Sequence, residues 1–209
     1  MPCVRMSDFH VLDFSVSDMY LVEEFFYAAC EMEALDWAEF FLDMTRSRFG
    51  KTIKVMRMLG VFHEAKGEPA KAQEIYLDMI DENPEDKQTV KRLVALFRDM
   101  DMQAQAITIL NKYIEMNQED IEAWTELCDI YLSKQHYAKA IFCFEELLSQ
   151  HPKNYLINLK YAEMLYSTQR DRLTDLYSAR KYFSHASLLK EGEPCMRALF
   201  GLVKTCKAI

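Results

Sequence analysis

The fold is decided by residues 121–154, which read IEAWTELCDIYLSKQHYAKAIFCFEELLSQHPKN. Numbered from Ile121, this stretch has Trp at position 4, Leu at 7, Tyr at 11, Ala at 20, Phe at 24 and Pro at 32. The first three landmarks share one face of a helix, and a second amphipathic run follows a short polar break. This spacing is that of the tetratricopeptide repeat, a hairpin of two antiparallel helices.

The landmark side chains are predicted to form the core of the repeat. Small residues such as Cys128 and Ala140 let the two helices approach closely, and the aromatic rings fill the space towards the next repeat. One repeat cannot bury its apolar faces alone, so further repeats must adjoin it. The residues predicted to be buried are Trp124, Leu127, Tyr131, Ala140 and Phe144.

The same register continues in both directions along the chain. Steps of 34 residues give repeats at 19–52, 53–86, 87–120, 121–154 and 155–193, followed by a partial repeat at 194–209. We therefore predict an all-α, tetratricopeptide-repeat superhelical solenoid of antiparallel helix pairs, about eleven helices, with residues 19–209 as one domain. Residues 1–18 fit no repeat and are a candidate N-terminal cap. In the fifth repeat the second helix arrives late, so the polar stretch 167–175 is predicted to be a loop.

Charge is distributed unevenly along the chain, whose net charge is −8. Residues 1–50 contain three basic and ten acidic side chains, whereas residues 151–209 contain ten basic and five acidic ones. An acidic protein is a poor candidate for binding nucleic acid. The basic C-terminal part suits an acidic partner or a lipid surface, and ordinary solvated surface is the alternative for any single cluster.

Motifs of catalysis are missing from the sequence. It contains no G-x-S-x-G, no phosphate-binding loop and no H-E-x-x-H, and its five histidines are dispersed. We therefore expect a protein that is not an enzyme and that binds no cofactor and no metal. The six cysteines form no C-x-x-C pair, and we expect free thiols packed as small apolar residues.

A concave groove is the binding surface expected of stacked hairpins. Positions 2, 5, 6 and 9 of each first helix should line this groove, which then alternates between acidic and basic along the chain. Such a pattern suits a charge-patterned protein partner, unless the charges pair with one another across repeats. The groove candidates are Tyr20, Glu23, Glu24, Tyr27, Lys54, Arg57, Met58, Lys91, Arg92, Glu122, Glu126, Asp129, Lys160 and Glu163.

An alternative interpretation is a cytosolic adaptor or co-chaperone that captures the acidic tail of a chaperone. Such adaptors hold the terminal carboxylates with Lys and Asn at positions 5 and 9 of one repeat and with basic residues further on. Here Lys91 is followed by Ala95 where Asn is required. Glu122 and Glu126 would repel an acidic peptide. Because no register supplies the full clamp, the adaptor is kept only as the alternative.

Several segments of the chain resemble the family of endoplasmic reticulum membrane protein complex subunit 2. Two of them, KAIFCFEEL and MRALFGL, lie outside the repeat consensus, so repeat similarity alone does not explain them. The resemblance covers about residues 20–209 and is strongest over 121–203. The segments are AKAQEIYLDMIDENP (70–84), KAIFCFEEL (139–147), YAEMLYS (161–167), ARKYFSHAS (179–187) and MRALFGL (196–202).

The resemblance implies a non-enzymatic scaffold on the cytoplasmic side of the endoplasmic reticulum membrane, peripheral and without a transmembrane segment of its own. The complex of that family inserts tail-anchored and multi-pass proteins into the membrane. The implied partners in this hetero-oligomer are the cytosolic ends of membrane subunits and a small soluble subunit of the eight/nine type. The family continues beyond residue 209, so we expect the apolar segment 195–209 to be partly uncovered and the isolated chain to self-associate.

Overall fold

The structure, a computed structural model, describes residues 19–168, 172–190, 192 and 195–209. These residues form eleven α-helices and no β-strand, which confirms the predicted fold class. None of the described helices combines the length and the apolar character needed to cross a bilayer. The candidate cap, residues 1–18, lies outside the described residues. The helices are α1 Met19–Glu31, α2 Leu35–Phe49, α3 Ile53–Ala65, α4 Pro69–Glu82, α5 Lys87–Asp99, α6 Gln103–Met116, α7 Ile121–Ser133, α8 Tyr137–Gln150, α9 Tyr155–Thr168, α10 Arg172–Leu189 and α11 Met196–Ala208.

The first helix of each full repeat begins at the residue that the 34-residue register predicts. Aspartates cap two of these helices: Asp86 accepts a hydrogen bond from the backbone N–H of Gln88 at 3.3 Å, and Asp120 accepts one from Glu122 at 3.0 Å. Each carboxylate satisfies an N–H that has no partner within its own helix. The five starting residues are Met19, Ile53, Lys87, Ile121 and Tyr155.

The turn between the two helices of a repeat has the same backbone shape in four repeats. Its residue at position 15 has a positive φ: 56° at Glu33, 76° at Gly67, 57° at Asp101 and 59° at Gln135. Only Gly67 lacks the Cβ that makes this conformation unfavourable. The hairpin therefore imposes the conformation on the other three residues.

The chain divides into two compact units, residues 1–109 and residues 110–209. The single solenoid domain predicted from the register stays a prediction. In the first unit, apolar side chains of α1, α2 and α3 form one core, and the rings of Phe40 and Trp37 pack against it. The buried residues of this core are Val22, Phe26, Ala29, Ala38, Phe41, Leu42, Met58, Val61 and Phe62.

The second unit contains the predicted core of the central repeat, and all five of its residues are buried. The indole N–H of Trp124 donates a hydrogen bond to the carbonyl oxygen of Gln118 at 2.8 Å. The Cys128 thiol lies 3.7 Å from the carbonyl oxygen of Ala140, so α7 and α8 approach closely at their small residues. The sequence prediction for this repeat is therefore confirmed.

Buried volume is shared between positions 8 and 24 of a repeat. In the second and fourth repeats position 8 is small and position 24 holds an aromatic ring, whereas in the first repeat position 8 is phenylalanine and position 24 is leucine. A Cβ added at Gly60 would lie 2.3 Å from a ring carbon of Tyr76, so that ring fills the space of the missing side chain. The pairs are Gly60 with Tyr76, Cys128 with Phe144, and Phe26 with Leu42.

The loop predicted at residues 167–175 is wrong in its extent. Helix α9 continues to Thr168, and α10 begins at Arg172 and runs for 18 residues. Leu173 and Thr174 are exposed in the first turn of α10, and the burial of Leu176 anchors that turn to the core. The additional residues of the fifth repeat thus lengthen its second helix, while its predicted landmarks Ala179, Phe183 and Ala186 are buried.

Candidate protein-binding groove

The predicted groove residues lie on the first helices of repeats, and all but one of them have accessible side chains. Met58 is the exception, since its side chain is 0% exposed in the core of the first unit. Its assignment to the groove is wrong, because this apolar side chain is more stable in the core with Val22 and Phe26 than in contact with water. Tyr20, Glu24, Glu122 and Asp129 are exposed, and the half-buried candidates are Glu23, Tyr27, Lys54, Arg57, Lys91, Arg92, Glu126, Lys160 and Glu163.

Arg57 of α3 is bound to the start of α5. One guanidinium nitrogen lies 2.7 Å from the Asp86 carboxylate, and others donate to the side chains of Thr89 at 3.5 Å and of Gln88. Only 16% of the Arg57 side chain and 14% of the Asp86 side chain are exposed. This arginine therefore holds two neighbouring repeats together and is not available to a ligand.

Burial and hydrogen bonding have opposite effects on the pKa of the Asp86 carboxyl group. Burial alone would raise its pKa, but hydrogen bonds from Thr89 and Arg57 outweigh that effect and hold the pKa below the ordinary aspartate value. The carboxylate is thus charged at neutral pH and serves at once as helix cap and as ion-pair partner.

Lys54 makes the corresponding link between α1 and α3. Its ammonium lies 2.5 Å from the Glu23 carboxylate and 5.0 Å from the centre of the Tyr20 ring. The lysine side chain is 44% exposed, so this contact is screened by water and contributes little stability. The alternation of acidic and basic residues that the sequence suggested is here an ion pair across two repeats.

Arg92 of α5 completes the polar surface of the first unit. Its guanidinium lies 6.0 Å from the Tyr27 ring centre and 3.7 Å from the Glu64 carboxylate. Glu64 also accepts a hydrogen bond from the Tyr76 hydroxyl at 2.5 Å, and burial raises the pKa of that hydroxyl well above its usual range. Burial likewise raises the pKa of Tyr27, so both rings remain neutral hydrogen-bonding groups.

The second unit holds a cleft of about 370 Å³ between α9, α10 and α11. Arg197 on α11 binds the Glu163 carboxylate with two nitrogens, at 2.5 Å and 2.8 Å. The exposed ring of Phe200 and the ammonium of Lys204, 4.8 Å from the centre of that ring, form the other side of the cleft. The Glu163 carboxylate therefore already has a cation bound to it, and its place in a groove stays a prediction.

Sequence reasoning named both members of the Lys54–Glu23 pair and one member of each of the other three ion pairs, and it missed Glu64, Asp86 and Arg197 as partners. The signal that would have found them is opposite charge at a separation of about one repeat: Arg57 and Asp86 are 29 residues apart, and Glu163 and Arg197 are 34 apart. Two first helices in neighbouring repeats place such residues side by side.

The buried thiols of the described chain are in their neutral form. Burial raises the pKa of Cys30 to about 11, of Cys128 to about 12 and of Cys143 to about 11, so these thiols are protonated at neutral pH. The five described cysteines are free. In the described part of the chain, no three His, Cys, Asp or Glu side chains are grouped so that they would hold a metal ion.

Comparison with known proteins matches this arrangement of repeats to one family. Residues 36–174 fit the family model of the EMC2 TPR-like repeat domain. The chain belongs to this family. The match runs from α2, the second helix of the first repeat, to the start of α10. It includes the two ion pairs that link α3 to α5 or to its N-terminal cap, Arg57 with Asp86 and Arg92 with Glu64.

Members of the EMC2 TPR-like family are similar to this chain over most of its length. The ER membrane protein complex subunit 2-B of Xenopus laevis is 36% identical over 186 residues, which is 88% of this chain and 61% of that protein. The TPR repeat protein oca3 of Schizosaccharomyces pombe is 28% identical over 162 residues, 78% of this chain and 57% of the relative. The chain thus spans less than two thirds of the length of these relatives.

Solved structures of the MamA protein have the same fold. The crystal structure of the MamA protein has a TM-score of 0.59 at 19% identity and covers 85% of this chain and 94% of its own. At this identity the likeness shows the fold alone, a tetratricopeptide-type stack of helix pairs.

Proposed function

We propose that this chain is a non-enzymatic scaffold subunit of the ER membrane protein complex, peripheral on the cytoplasmic side of the membrane. In this role it supports the insertion of tail-anchored and multi-pass proteins by holding other subunits in place. Its partners are the cytosolic ends of membrane subunits and a small soluble subunit of the eight/nine type. The observation that carries the proposal is the family match over residues 36–174, together with relatives that are named as subunit 2 of that complex.

The surface of the first unit supports a scaffold role. The partly buried ion pair of Arg57 with Asp86 fixes the spacing of two neighbouring repeats. The shape of this surface therefore does not depend on a bound ligand. Tyr20 and Glu24 remain exposed at the start of that surface, where an aromatic ring and a carboxylate can meet a protein partner. A preformed surface of this kind binds without a large cost of ordering.

The proposal is tested by affinity purification of the tagged chain from detergent-solubilised membranes, with identification of the co-purifying proteins. We expect the other subunits of the ER membrane protein complex to be enriched. A double variant, Tyr20→Ala with Glu24→Lys, should lose part of this set, because it changes the exposed groove residues of α1. The matched control is Glu74→Lys, a charge reversal at an exposed position of α4.

Two results would contradict the proposal. One is a purified chain without any subunit of the complex, while the circular dichroism spectrum shows that it is folded. The other is equal loss of partners in Glu74→Lys and in the α1 double variant, which would mean that the effect comes from net charge and not from the groove.

The adaptor alternative finds no support in the first unit. The basic residues that would clamp an acidic peptide there, Arg57 and Arg92, already face the carboxylates of Asp86 and Glu64. Val61, at the position where such a clamp requires asparagine, is buried and apolar. A chaperone tail peptide should accordingly fail to bind in a fluorescence polarisation titration.

A further inference from the structure

The first unit contains a cleft of about 410 Å³ at the end of its second repeat that lies opposite the hairpin turn, where α3 begins and α4 ends. Its apolar lining consists of Ile53 and Met56 of α3 and Met79 of α4. Met79 is buried, whereas Ile53 is 49% exposed. A cleft of this volume is large enough to take a side chain of another protein.

The polar lining of the cleft is mainly acidic. Asp78 and Glu82 are both exposed and lie four residues apart on α4, so their carboxylates are neighbours on one face of the helix. Within the described residues, neither carboxylate forms an ion pair. Asn83 and the exposed Lys51 complete the lining. The cleft therefore combines apolar side chains with two carboxylates that can still accept hydrogen bonds.

The central repeat has large donor side chains at the positions that form this cleft. Its position 4 holds Trp124, which is 8% exposed and whose indole N–H donates to the carbonyl oxygen of Gln118 at 2.8 Å. Its position 30 holds Gln150, whose amide donates to the same oxygen at 2.7 Å. In the second repeat these positions hold Met56 and Glu82, which have no side-chain N–H to donate. The cleft thus lies where the central repeat has planar N–H donors of its own.

We propose that this cleft binds an arginine side chain of a protein partner. The guanidinium contacts the carboxylates of Asp78 and Glu82, and the aliphatic stem packs on Ile53 and Met56. A guanidinium is planar and can donate two hydrogen bonds at once to a carboxylate. It is also less strongly hydrated than an ammonium, so it enters a partly apolar cleft more readily than lysine does. Its positive charge is complementary to the two carboxylates.

The surroundings of Glu82 also favour a cation. Asp81 and Glu85 are exposed within three residues of it, and α4 has no basic residue in its last turn. The helix dipole adds partial negative charge at the same end of α4. A metal ion is a poorer occupant, because in the described part of the chain no three His, Cys, Asp or Glu side chains are grouped to hold one.

The cleft is separate from the groove candidates of the first helices. It uses positions 1 and 4 of α3 and the last turns of α4, whereas the groove candidates occupy positions 2, 5, 6 and 9. The arginine can belong to any protein with a suitable surface, within or outside the ER membrane protein complex. The inference therefore goes beyond the proposed function and does not depend on it.

Methyl NMR of the full chain, isotope-labelled at its methionine methyl groups, tests the proposal, because Met56 and Met79 report on the cleft itself. The probe is N-acetyl-argininamide, titrated to about 50 mM, which is several times the expected Kd. We expect saturable shifts of both methyl resonances with a Kd of about 1–10 mM, because the probe is small. The uncharged analogue N-acetyl-citrullinamide should bind about fivefold more weakly or worse, since it keeps the shape but not the charge.

Two results with these probes would overturn the proposal. One is the absence of saturable shifts at Met56 and Met79, which would mean that the cleft is not a binding site. The other is binding of N-acetyl-citrullinamide or of N-acetyl-tryptophanamide that is as tight as that of the arginine probe. The cleft would then select a shape or a ring and not a cation.

Substitutions on α4 identify the groups that hold the arginine. Asp78→Asn with Glu82→Gln should weaken binding of N-acetyl-argininamide about tenfold or more, since the hydrogen bonds lose their charged acceptors. The matched control, Glu74→Gln with Asp81→Asn, removes two exposed carboxylates of α4 that do not line the cleft. It should bind the probe within about twofold of the parent, because water and salt screen exposed charges. Equal weakening in the two variants, or unchanged binding in the first, would overturn the proposal.

Substitutions at Met56 and Lys51 test the space and the charge of the cleft separately. Met56→Trp introduces the residue that the central repeat has at position 4, so it should abolish the shift of Met79 by the arginine probe. Its melting temperature should not fall, because the indole buries apolar surface in the cleft. Lys51→Gln should bind the probe about twofold more tightly, since it removes a cation that opposes the guanidinium. Helical circular dichroism confirms folding, and a folded Met56→Trp chain that binds the probe with the affinity of the parent would refute the site.

Discussion

Helices α7 and α11 are both first helices of a repeat, yet their equivalent positions have opposite surroundings. At positions 4, 7 and 11, α7 has Trp124, Leu127 and Tyr131, which are 8%, 3% and 7% exposed. At the same positions α11 has Arg197, Phe200 and Lys204, all of which are exposed. The register is the same in both helices, but only α7 is followed, within the described residues, by a second helix that covers it.

The difference shows where the stability of such a repeat originates. The apolar face of a first helix contributes nothing until another helix removes it from water, since the gain is proportional to the area buried. In α7 that helix is α8, whose Ala140 and Phe144 are buried in the same repeat. In α11, Phe200 occupies the same position 7 as the buried Leu127, but its ring is 62% exposed.

Truncation of a large side chain should give the largest difference in stability between a variant of α7 and a variant of α11. Trp124→Ala removes a buried ring and its hydrogen bond to Gln118, so we expect a loss of about 3–5 kcal/mol in the free energy of unfolding. Phe200→Ala removes an exposed ring and should cost less than about 0.5 kcal/mol. Chemical denaturation followed by circular dichroism measures both. Similar losses in the two variants would mean that α11 is as enclosed as α7.

Removing one partner of an ion pair should give the next largest difference. Arg57→Met leaves the largely buried Asp86 carboxylate without its main partner and should cost about 1.5–3 kcal/mol. Arg197→Met breaks an exposed pair and should cost less than about 1 kcal/mol.

The Arg57→Met variant should also change how the melting temperature of the chain depends on pH in acid. Because the pKa of Asp86 is lower in the folded chain, its contribution is present above the ordinary aspartate pKa of about 3.9 and is lost as the pH falls through the lowered pKa. Arg57→Met should therefore show a smaller loss of melting temperature between pH 5 and pH 3 than the parent does. An unchanged acid slope would contradict the role of this pair.

Gly60 and Gly201 each face an aromatic ring. Substitution of alanine at these two glycines should also distinguish a helix that is packed on several sides from one that is exposed on one side. At Gly60 the added Cβ would lie 2.3 Å from the Tyr76 ring, and at Gly201 it would lie 2.4 Å from the Phe183 ring. Overpacking costs about 1–3 kcal/mol, and the better helix propensity of alanine offsets about 1 kcal/mol. We expect a net loss for Gly60→Ala, because α3 is packed between α1, α2 and α4. Gly201→Ala should be close to neutral, since α11 can shift towards its open side, and equal losses would contradict this freedom.

The smallest effect is expected at the turns, whose position 15 has the same left-handed conformation in four repeats. Gly67→Ala places a Cβ at φ 76° and should cost about 1 kcal/mol, while Gln135→Gly relieves a residue at φ 59° and should gain up to about 1 kcal/mol. Thermal melting of both variants measures this difference. A stabilised Gly67→Ala would show that position 15 does not require the left-handed conformation.

Much of the fold could be predicted because the same sequence pattern recurs in several repeats. Ile53, Lys87 and Ile121 each begin a helix at the expected residue, since three copies of one spacing leave little freedom for the boundaries. The prediction failed where the fifth repeat departs from that spacing. Arg172, Thr174 and Asp175 are polar, and polarity does not distinguish a loop from a first turn that continues into a helix.

The helices that carry the groove candidates could be predicted, but the ion pairs that these candidates form could not. The register placed Arg57 and Glu163 on the correct helices, yet it did not reveal that Asp86 and Arg197 already bind them. Met58 failed for a related reason, because a groove position and a core position differ by a small rotation of the helix. Pairing and rotation depend on the neighbouring repeat, which the pattern of a single repeat does not contain.

The sharing of volume between positions 8 and 24 has a consequence for how such a chain diverges. Gly60 with Tyr76 and Phe26 with Leu42 are two solutions to the same packing problem, with the large group on opposite helices. A lineage cannot pass from one to the other by single neutral steps, because the intermediate holds either two large groups or a void. Changes at the two sites should therefore appear together among descendants, so that positions 8 and 24 of a repeat vary as a pair.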